Sequence, residues 1–495
     1  MSVPSDPRAP LSSYSAGDMP ATRRSPLFID GAWVDGANGT RAVLDKYSGR
    51  EIGTVDQASR EQVAAAIAAA RRSFERTVLD AQQRYTVLMT TASLLYQHRA
   101  ELARVITAEG GMPIADATNE VGRAIQTVTV SAEEAKRLTG EMVPIEAAPG
   151  HAHRMAFTIR VPRGVVCAIT SFNSPLNIVA HKVAPALASG NTVVLKPSDL
   201  TPLSATLLVE LLVEAGCPPG HVNLIHGPGP ELGPWLVEDD DIGFFTFTGG
   251  TGAGLWLRER VGLRPVALEL GSISPTIVCE DADLDRAAAR CTASGFRRAG
   301  QMCTSTQRLF VHADVVEPFT ARLLESVRAL KVGDPRDPAT DVGPMISDAE
   351  AARAERWVRE AVAGGARLVE GGRRDGAVLH PTILTDVQRA MRVVCEEIFA
   401  PVLSIIPYTS FDEALAAINA TPFGLAAGVF TRDLTRAFSA ARRIHAGVVH
   451  LNDSSSSRAD LIPFAGVKQS GVGREGPRYA MHEMTEERLV TISLS

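Results

Sequence analysis

Short apolar runs that alternate with helical stretches constrain the fold of this chain more than any other feature. The runs at 165–170, 192–196 and 244–248 predict buried strands, and a helical stretch at 202–215 separates the last two. Continuous apolar strands that alternate with helices are typical of a parallel sheet covered by helices on both faces. A second series of the same kind begins at 276–279, so the pattern predicts an α/β protein with two doubly wound units.

Helical periodicity dominates the chain before the first of these strands. Ser59 fits the N-cap of a helix over 59–77, a longer helix is expected over 80–109, and a third over 120–138. At the other end of the chain, residues 488–494 alternate in polarity as a strand does. A strand at a chain end often pairs outside its own domain.

Composition and charge exclude several classes of protein. The chain has 495 residues, of which 45% are hydrophobic and 21% charged, and this balance excludes a disordered protein. The net charge of −6 argues against a nucleic-acid binder, which needs a basic surface. No apolar run reaches the roughly 18 residues of a membrane helix, and residues 1–25 lack the apolar stretch of a signal peptide. We therefore expect neither nucleic acid nor a membrane as a partner.

The cysteines argue against a metal centre and for a reducing compartment. All six are scattered, none forms a CxxC pair, and none lies at zinc-site spacing with histidine. Scattered cysteines in a long enzyme are typical of the cytoplasm. We expect no metal site and a cytoplasmic location.

Four features can carry chemistry, and each also has a purely structural interpretation. Cys303 lies in a polar, glycine-bearing segment that suits a nucleophile, although most cysteines are simply small buried residues. Glu269 interrupts an apolar strand, where desolvation would make it a usable base unless it forms a buried salt bridge. The glycine-rich stretch 247–254 suits either a pyrophosphate or a tight turn. Lys196 and Asp199 end a strand, and they suit either a ribose or a surface turn.

Nine short motifs in order along nearly the whole chain resemble those of the aldehyde dehydrogenase superfamily. They are PRGVV (162–166), ITSFNSPL (169–176), KVAPAL (182–187), GNTVVLKPS (190–198), FTG (247–249), LELG (268–271), GQMC (300–303), EEIFAPV (396–402) and PFAGVKQSG (463–471). Within the superfamily the chain looks like the branch of lactaldehyde, phosphonoacetaldehyde and sulfolactaldehyde dehydrogenases. It departs from frequent family residues at Gly250, Ser272, Ala400 and Ala465, and at Asp199, where glutamate is more common.

The resemblance implies a covalent mechanism for the oxidation of an aldehyde to an acid. Cys303 would attack the carbonyl, and the Asn173 amide with the Cys303 backbone N–H would stabilise the oxyanion. Loss of hydride would leave a thioester, and Glu269 would activate the water that hydrolyses it. The implied cofactor residues are Ser171, Phe172, Lys196, Ser198, Asp199, Thr248, Gly249, Gly250, Leu270, Glu397 and Phe399. A carboxylate at Asp199 would repel a 2′-phosphate, so NAD is expected and NADP stays open.

Substrate positions follow from the motif offsets. They are Arg123, Gln126, Ser174, Asn177, His181, Arg297, Met302, Thr304, Arg458 and Phe464. Arginine suits carboxylate, phosphate, phosphonate or sulfonate groups, so the substrate is expected to be a small anionic or hydroxylated aldehyde. The structural alternative is that these arginines face solvent or pair with acids such as Glu120 or Asp460. A neutral aldehyde such as lactaldehyde is the alternative substrate.

The resemblance also implies a domain division. An NAD-binding domain over 26–140 and 161–271 and a catalytic domain over 272–484 are expected, with oligomerisation strands over 141–160 and 485–495 and a flexible tail over 1–25. We expect a homodimer or homotetramer. Three rival functions are weaker: a CoA-acylating relative needs no base at Glu269, a silent binding protein needs no nucleophile, and a cysteine hydrolase needs a Cys–His pair.

Overall fold

Two parallel-rich sheets organise the chain in the computed structural model, which describes residues 23–494. The first has eight strands in the order β22-β12-β11-β8-β9-β10-β2-β3, and the second has seven in the order β15-β18-β19-β14-β13-β20-β21. The strands are β1 (Arg23–Ser25), β2 (Leu27–Ile29), β3 (Ala32–Val34), β4 (Thr40–Leu44), β5 (Glu51–Asp56), β6 (Met142–Val143), β7 (Arg154–Pro162), β8 (Val165–Ile169), β9 (Thr192–Lys196), β10 (Val222–Leu224), β11 (Ile242–Thr248), β12 (Val266–Glu269), β13 (Pro275–Val278), β14 (Arg308–His312), β15 (Arg367–Glu370), β16 (Arg374–Asp375), β17 (Val378–Leu379), β18 (Thr382–Thr385), β19 (Val402–Tyr408), β20 (Ala426–Phe430), β21 (Val448–Leu451), β22 (Gly471–Val472) and β23 (Thr485–Ser493). These sheets confirm the predicted α/β class.

Helices pack against both sheets. They are α1 (Arg60–Arg76), α2 (Ala81–Gln97), α3 (Arg99–Gly110), α4 (Ile114–Ala135), α5 (Asn177–Ala188), α6 (Leu203–Glu214), α7 (Gly229–Glu238), α8 (Thr251–Arg260), α9 (Leu284–Phe296), α10 (Val316–Arg328), α11 (Asp348–Ala363), α12 (Arg392–Cys395), α13 (Phe411–Asn419), α14 (Leu434–Arg443) and α15 (Pro477–Glu483). Among residues 23–494, no helix combines the length and the apolar character that crossing a membrane requires.

The N-terminal helices differ from the prediction in two places. The single helix expected over 80–109 is two helices, because His98 has ψ near 12° and ends α2 while preceding α3. The apolar periodicity runs through both helices, so the sequence pattern alone did not reveal the break. The helix expected from 120 begins at Ile114. Gly111 ends α3 in a left-handed conformation, and Pro113 is the N-cap of α4, because proline is tolerated where a helix starts. Ser59 caps α1 as predicted, with a reciprocal hydrogen bond to Gln62.

The chain crosses back from the second sheet to the first near its C-terminus. Strand β22 pairs with β12, so residues 471–472 of the predicted catalytic segment join the first sheet. Helix α5, whose residues are all buried, escaped prediction because it is apolar all round and shows no amphipathic period. The predicted division into domains stays a prediction.

A small antiparallel sheet in the order β23-β7-β6 stands apart from the two large ones. The C-terminal strand begins at Thr485, three residues earlier than its alternating pattern, and pairs with β7 over its whole length. Of the predicted tail, residues 1–22 lie outside the described part of the chain. Residues 23–25 form β1, which is held by parallel pairing with β5.

Candidate active site

Two cavities meet at Cys303. One of about 420 Å³ is lined by residues of α4, α5 and the segments around 297–304 and 456–460. The other, of about 320 Å³, lies at the carboxyl ends of β8, β11 and β12, where parallel α/β sheets commonly bind ligands. Asn173, Ile178 and Cys303 line both cavities. A group on the Cys303 sulfur is therefore accessible from two separate chambers.

A left-handed turn places Cys303 at this junction. Helix α9 ends at Phe296, and Arg298, Ala299 and Gly300 follow with φ of 54°, 52° and 68°. A side chain at Gly300 would collide with the Ala400 carbonyl, so glycine is required there. The surrounding protein desolvates Cys303 and raises the pKa of its thiol to about 12, which Arg458 opposes. The thiol is therefore neutral at rest and must lose a proton to react.

Glu269 is a buried carboxyl at the end of β12. It is 4% exposed, it forms no ion pair with any described residue, and its Oε2 atom has no hydrogen-bond partner there. Burial, followed by the charge of Glu475, raises the pKa of Glu269 well above its usual value. The structural alternative of a buried salt bridge does not apply. Glu269 and Cys303 line the same cavity. A desolvated carboxyl at this place has the properties of a general base that accepts the proton of the thiol.

Glu475, which the sequence analysis did not single out as functional, sets the field at Glu269. Its carboxylate accepts hydrogen bonds from Lys182 Nζ and Arg458 Nη2, each at 2.9 Å. Although burial alone would raise the pKa of Glu475, these two cations lower it far below its usual value. The pKa values of two neighbouring buried carboxyls are thus driven apart, with that of Glu475 below and that of Glu269 above the usual range. Such a pair is a common arrangement for acid–base chemistry. Lys182 and Glu475 are 293 positions apart, so no spacing rule links them.

The Asn173 amide is fixed beside the nucleophile. Its Nδ2 donates to the Gln301 carbonyl at 2.9 Å, and its Oδ1 accepts from the Ser171 hydroxyl at 2.8 Å. An amide nitrogen carries two N–H groups, so one is left to face the cavity around Cys303. A side-chain amide N–H is one of the donor types that oxyanion sites use.

Most of the predicted cofactor residues line the second cavity. They are Ser171, Phe172, Ser198, Thr248, Gly249, Gly250, Leu270, Glu397 and Phe399. Lys196 and Asp199 do not line it. Lys196 Nζ is buried, donates to the Pro197 carbonyl and lies 3.5 Å from Asp199 Oδ1, and Asp199 also accepts from the Gly227 N–H. Asp199 instead lines a separate groove beside residues 41–49.

The second cavity fits a dinucleotide. Helix α8 begins at this cavity, and Gly250 at its N-cap provides no side-chain acceptor for the first N–H groups, which an anion can satisfy. The buried Thr170 hydroxyl lines the cavity and has no partner among the described residues. Burial raises the pKa of Glu397 to about 7, and its carboxylate accepts from the Ser272 N–H at 2.8 Å. These groups match the pyrophosphate and hydroxyls of a nicotinamide dinucleotide.

Nearly all predicted substrate residues line the first cavity. They are Arg123, Gln126, Ser174, Asn177, His181, Arg297, Met302, Thr304 and Arg458. Phe464 does not line it: the residue is 2% exposed, and the Arg458 guanidinium lies over its ring, 4.0 Å from the ring centroid. Residues 456–460, which precede Phe464 in the chain, line the cavity. The effect of Phe464 on a ligand passes through Arg458.

The arginines of this cavity differ in how fully they are paired. Arg123 makes two hydrogen bonds to Asp460, at 3.0 and 2.7 Å, so the structural alternative holds for this residue. Arg458 is paired with Glu475 on one nitrogen only. The nearest carboxylate to Arg297 is Asp116 at 3.8 Å. Arg297 thus has the weakest acidic partner of the three predicted arginines.

His181 is held by a carboxylate rather than left open for a ligand. Its Nε2 lies 2.9 Å from Asp460 Oδ1, and the residue is 1% exposed. Burial lowers the pKa of His181, so the ring is neutral. Asp460 also accepts a hydrogen bond from Asn177 Nδ2 at 3.1 Å. Burial would raise the pKa of Asp460, but His181 and Arg123 lower it far below the usual value. Asp460 therefore organises this wall of the cavity.

Several lining residues escaped the sequence analysis. They are Asn119, Ile178, Arg290, Arg298, Ser456, Ser457, Ala459 and Asp460. Arg290 and Arg298 bring the arginines of the cavity to five, against one acid in its lining. Arg298 directly follows Arg297, and only the left-handed turn brings both side chains to the same cavity. For Ser456 and Ser457, the run of serines over 454–457 was an available signal.

Comparisons with known proteins agree with this geometry. Residues 33–490 match the Aldehyde dehydrogenase family. A 3-sulfolactaldehyde dehydrogenase of Priestia aryabhattai is 46% identical over 94% of this chain and 98% of its own, and a lactaldehyde dehydrogenase of Methanocaldococcus jannaschii is 37% identical over 94% and 100%. The crystal structure of an NADP-dependent glyceraldehyde-3-phosphate dehydrogenase from Bacillus halodurans, complexed with NADP, superposes with a TM-score of 0.93 at 37% identity, over 95% of this chain and 100% of that one.

The chain belongs to the aldehyde dehydrogenase family. It is an oxidoreductase that acts on an aldehyde group and uses a nicotinamide dinucleotide, NAD or NADP, as acceptor. The family and the fold class expected from the motifs are both confirmed.

Proposed function

We propose that the chain oxidises a small aldehyde whose far end carries an anionic group. The observation that carries the proposal is the cavity at Cys303, lined by five arginines and one acid. Three of these arginines, Arg297, Arg298 and Arg458, have a buried Nε with no partner among the described residues. Unsatisfied buried guanidinium donors are costly, and a sulfonate, phosphonate, phosphate or carboxylate would satisfy them.

The relatives support an anionic substrate without fixing which one. One is named for 3-sulfolactaldehyde and the superposed structure for glyceraldehyde-3-phosphate, both of which carry an anion and a hydroxyl group. Gln126, Asn177 and Thr304 line the same cavity and are suited to hydroxyl groups. We favour a short hydroxylated aldehyde with a terminal sulfonate or phosphate. Neutral lactaldehyde, for which another relative is named, is the second candidate.

The chemistry we propose begins at the thiol. Cys303 loses its proton to the Glu269 carboxylate or to water held beside it, and its sulfur attacks the aldehyde carbon. The free N–H of Asn173 and the backbone N–H of Cys303 stabilise the resulting oxyanion. A nicotinamide dinucleotide held in the second cavity would supply the acceptor for the hydride that leaves this carbon. Glu269 then activates a water that cleaves the thioester on Cys303 and releases the acid.

We propose NAD as the preferred cofactor and NADP as the alternative. Thr248, Gly249 and the start of α8 would hold the pyrophosphate, and Glu397 would accept from a ribose hydroxyl. The support for NAD is the carboxylate of Asp199, which lies 3.5 Å from Lys196 Nζ at the end of β9 and would repel a 2′-phosphate. Its groove beside residues 41–49 is separate from the cavity at Cys303.

The test is the initial rate of reduced nicotinamide formation with anionic and neutral short aldehydes, in the presence of NAD or NADP. We expect the highest kcat/KM with an anionic aldehyde and NAD. Cys303→Ala should abolish the rate while NAD binding by calorimetry is retained, because the sulfur forms the covalent bond but does not hold the cofactor. Substantial activity in Cys303→Ala would refute the nucleophile. A higher kcat/KM for lactaldehyde than for every anionic aldehyde would favour the neutral candidate.

The same assay separates the rival functions. A CoA-acylating enzyme would need CoA for turnover, whereas we expect none to be needed, because Glu269 is available to activate water. A silent binding protein would show no rate with any aldehyde. A cysteine hydrolase would act without a nicotinamide cofactor.

We also propose a cytoplasmic location, for which the support is the six free cysteines.

We propose that the small sheet β23-β7-β6 joins copies of this chain into a dimer or tetramer. Met155 and Ile492 face each other across β7 and β23, and both are about 41% exposed. Exposed apolar pairs on an edge sheet mark an interaction surface. A truncation before Glu487 should lower the sedimentation coefficient, whereas Leu263→Asp, at a fully exposed leucine elsewhere, should not. A truncated chain that sediments as the full-length assembly would refute this role.

A further inference from the structure

Arg298 and Glu120 form a buried ion pair beside the segment that carries Asn173. Arg298 Nη1 lies 3.0 Å from Glu120 Oε2, and the two side chains are 5% and 0% exposed. The same Nη1 atom donates to the Asn173 carbonyl at 3.2 Å and to the Ser174 hydroxyl at 3.1 Å. One guanidinium nitrogen therefore holds the backbone of Asn173 from the Cys303 side.

Glu120 holds the same segment from the other side. Its Oε1 accepts the N–H of Leu176 at 3.0 Å and that of Asn177 at 3.3 Å, where helix α5 begins. A carboxylate at a helix N-terminus satisfies N–H groups that lack a partner within the helix. Between them, Arg298 and Glu120 contact the chain from residue 173 to residue 177. The Asn173 side chain is fixed separately, by Gln301 and Ser171.

The pair is a costly way to hold a loop. A buried ion pair is often no more stable than apolar residues of the same size. Arg298 and Ala299 also adopt φ of 54° and 52°, a region that residues other than glycine, asparagine and aspartate rarely occupy. Such strain persists at sites where geometry matters. What the arrangement provides is a fixed distance between the Asn173 loop and the segment that continues, through Gln301, to Cys303.

We propose that Arg298 and Glu120 are positioning residues, which hold the Asn173 amide at the place where the oxyanion forms on the Cys303 adduct. The proposal rests on the proposed function, because it assigns no role without an oxyanion at Asn173. Arg298 lines the substrate cavity as well, so direct binding of an anionic head group is the rival role that the experiment must separate.

The experiment is a double-mutant cycle in the full-length chain. Asn173→Ala should lower kcat about 10²- to 10³-fold, as loss of one oxyanion donor does. Arg298→Met should lower kcat about tenfold or more, with anionic and neutral aldehydes alike and with little change in KM. In the Asn173→Ala background, Arg298→Met should change kcat less than about twofold, because its effect passes through the missing amide. Arg298→Lys should recover much of kcat, since one nitrogen makes all three contacts.

The outcomes separate this proposal from the proposed function. If Asn173→Ala keeps its rate, the oxyanion role itself fails. If Asn173→Ala is slow but Arg298→Met has an additive effect, or raises KM for anionic aldehydes only, positioning fails and the proposed function stands. Should Arg298→Met not fold, Glu120→Gln and Arg298→Lys complete the same cycle. The control is Arg322→Met, at an exposed arginine paired with Asp285, which should change neither kcat nor the unfolding temperature appreciably.

Discussion

Replacement of Arg297 by methionine should weaken the binding of anionic aldehydes selectively. Arg297 lines the cavity at Cys303, and its nearest carboxylate, Asp116, is 3.8 Å away. Burial lowers the pKa of its guanidinium and Asp116 opposes this, while Arg298, Arg123 and Arg290 lower it further. A cation that is surrounded by other cations and only loosely paired gains most when an anion arrives. Methionine keeps much of the side-chain volume and removes the charge.

The magnitude follows from the exposure of the side chain. A hydrogen bond between charged groups contributes about 1.5–3 kcal/mol. The Arg297 side chain is 34% exposed, so solvent screens it and the lower end applies. About 1.4 kcal/mol corresponds to a tenfold change in binding. We therefore expect Arg297→Met to raise KM about tenfold for an aldehyde that carries a sulfonate or phosphate, and less than about twofold for propionaldehyde.

The assay measures KM and kcat for one anionic and one neutral aldehyde at saturating NAD, in wild type, Arg297→Met and Arg123→Met. Because Arg123 is fully committed to Asp460, its loss leaves a buried carboxylate with one partner fewer. Arg123→Met should accordingly lower the unfolding temperature and affect both aldehydes alike. Equal effects of Arg297→Met on the two aldehydes, or a selective effect confined to Arg123→Met, would refute the reasoning.

Two further predictions concern the carboxylates around the site. Glu475→Gln removes the negative charge that helps raise the pKa of Glu269 and leaves Lys182 and Arg458 without it, so the Glu269 pKa should fall. The base form of Glu269 would then persist to lower pH. In an assay of activated-ester hydrolysis through Cys303, the acid limb of the pH profile should therefore move to lower pH. An acid limb that stays in place or moves to higher pH would contradict the electrostatic account. Asp199→Ser should raise kcat/KM with NADP about tenfold relative to NAD, because the repulsion of a 2′-phosphate is removed. An unchanged ratio would mean that Asp199 does not set the preference.

The parts of the site that the sequence predicted best are those fixed by sheet topology. Glu269 and Thr248 end parallel strands, and Asn173 follows another, so the fold brings all three to one edge of the sheet. Positions close to Cys303 in the chain, such as Arg297, also reached the expected cavity. Over a short distance along the chain, differences in loop length can hardly shift a position that is counted from a motif.

The parts that escaped prediction depend on side-chain pairing between distant segments. Arg123 and Asp460 are separated by 337 positions, and the sequence could offer Asp460 only as one possible partner for the arginines. Phe464 lies outside the cavity lining, and its position depends on the path of the loop that also carries Arg458. The sequence analysis selected Arg297 and not Arg298. The contacts of Arg298 require a left-handed turn, which the residue types at 298 and 299 do not predict.

The charges of the two cavities bear on why the substrate should be anionic and how it would lie. On the cofactor side, the cavity that Cys303 lines holds the carboxyls of Glu269 and Glu397 and, among the described residues, no lysine or arginine. On the other side of Cys303, five arginines line the cavity, and four of them lie within 3.0 Å of a carboxylate. Arg297 is only loosely paired, with Asp116 at 3.8 Å. We therefore expect an aldehyde with a terminal anion to bind with its charge near Arg297, away from Glu269, and with its carbonyl at the sulfur. A neutral aldehyde of the same length has no charge to orient it. Without that orientation, it should show a lower kcat as well as a higher KM than the anionic aldehyde.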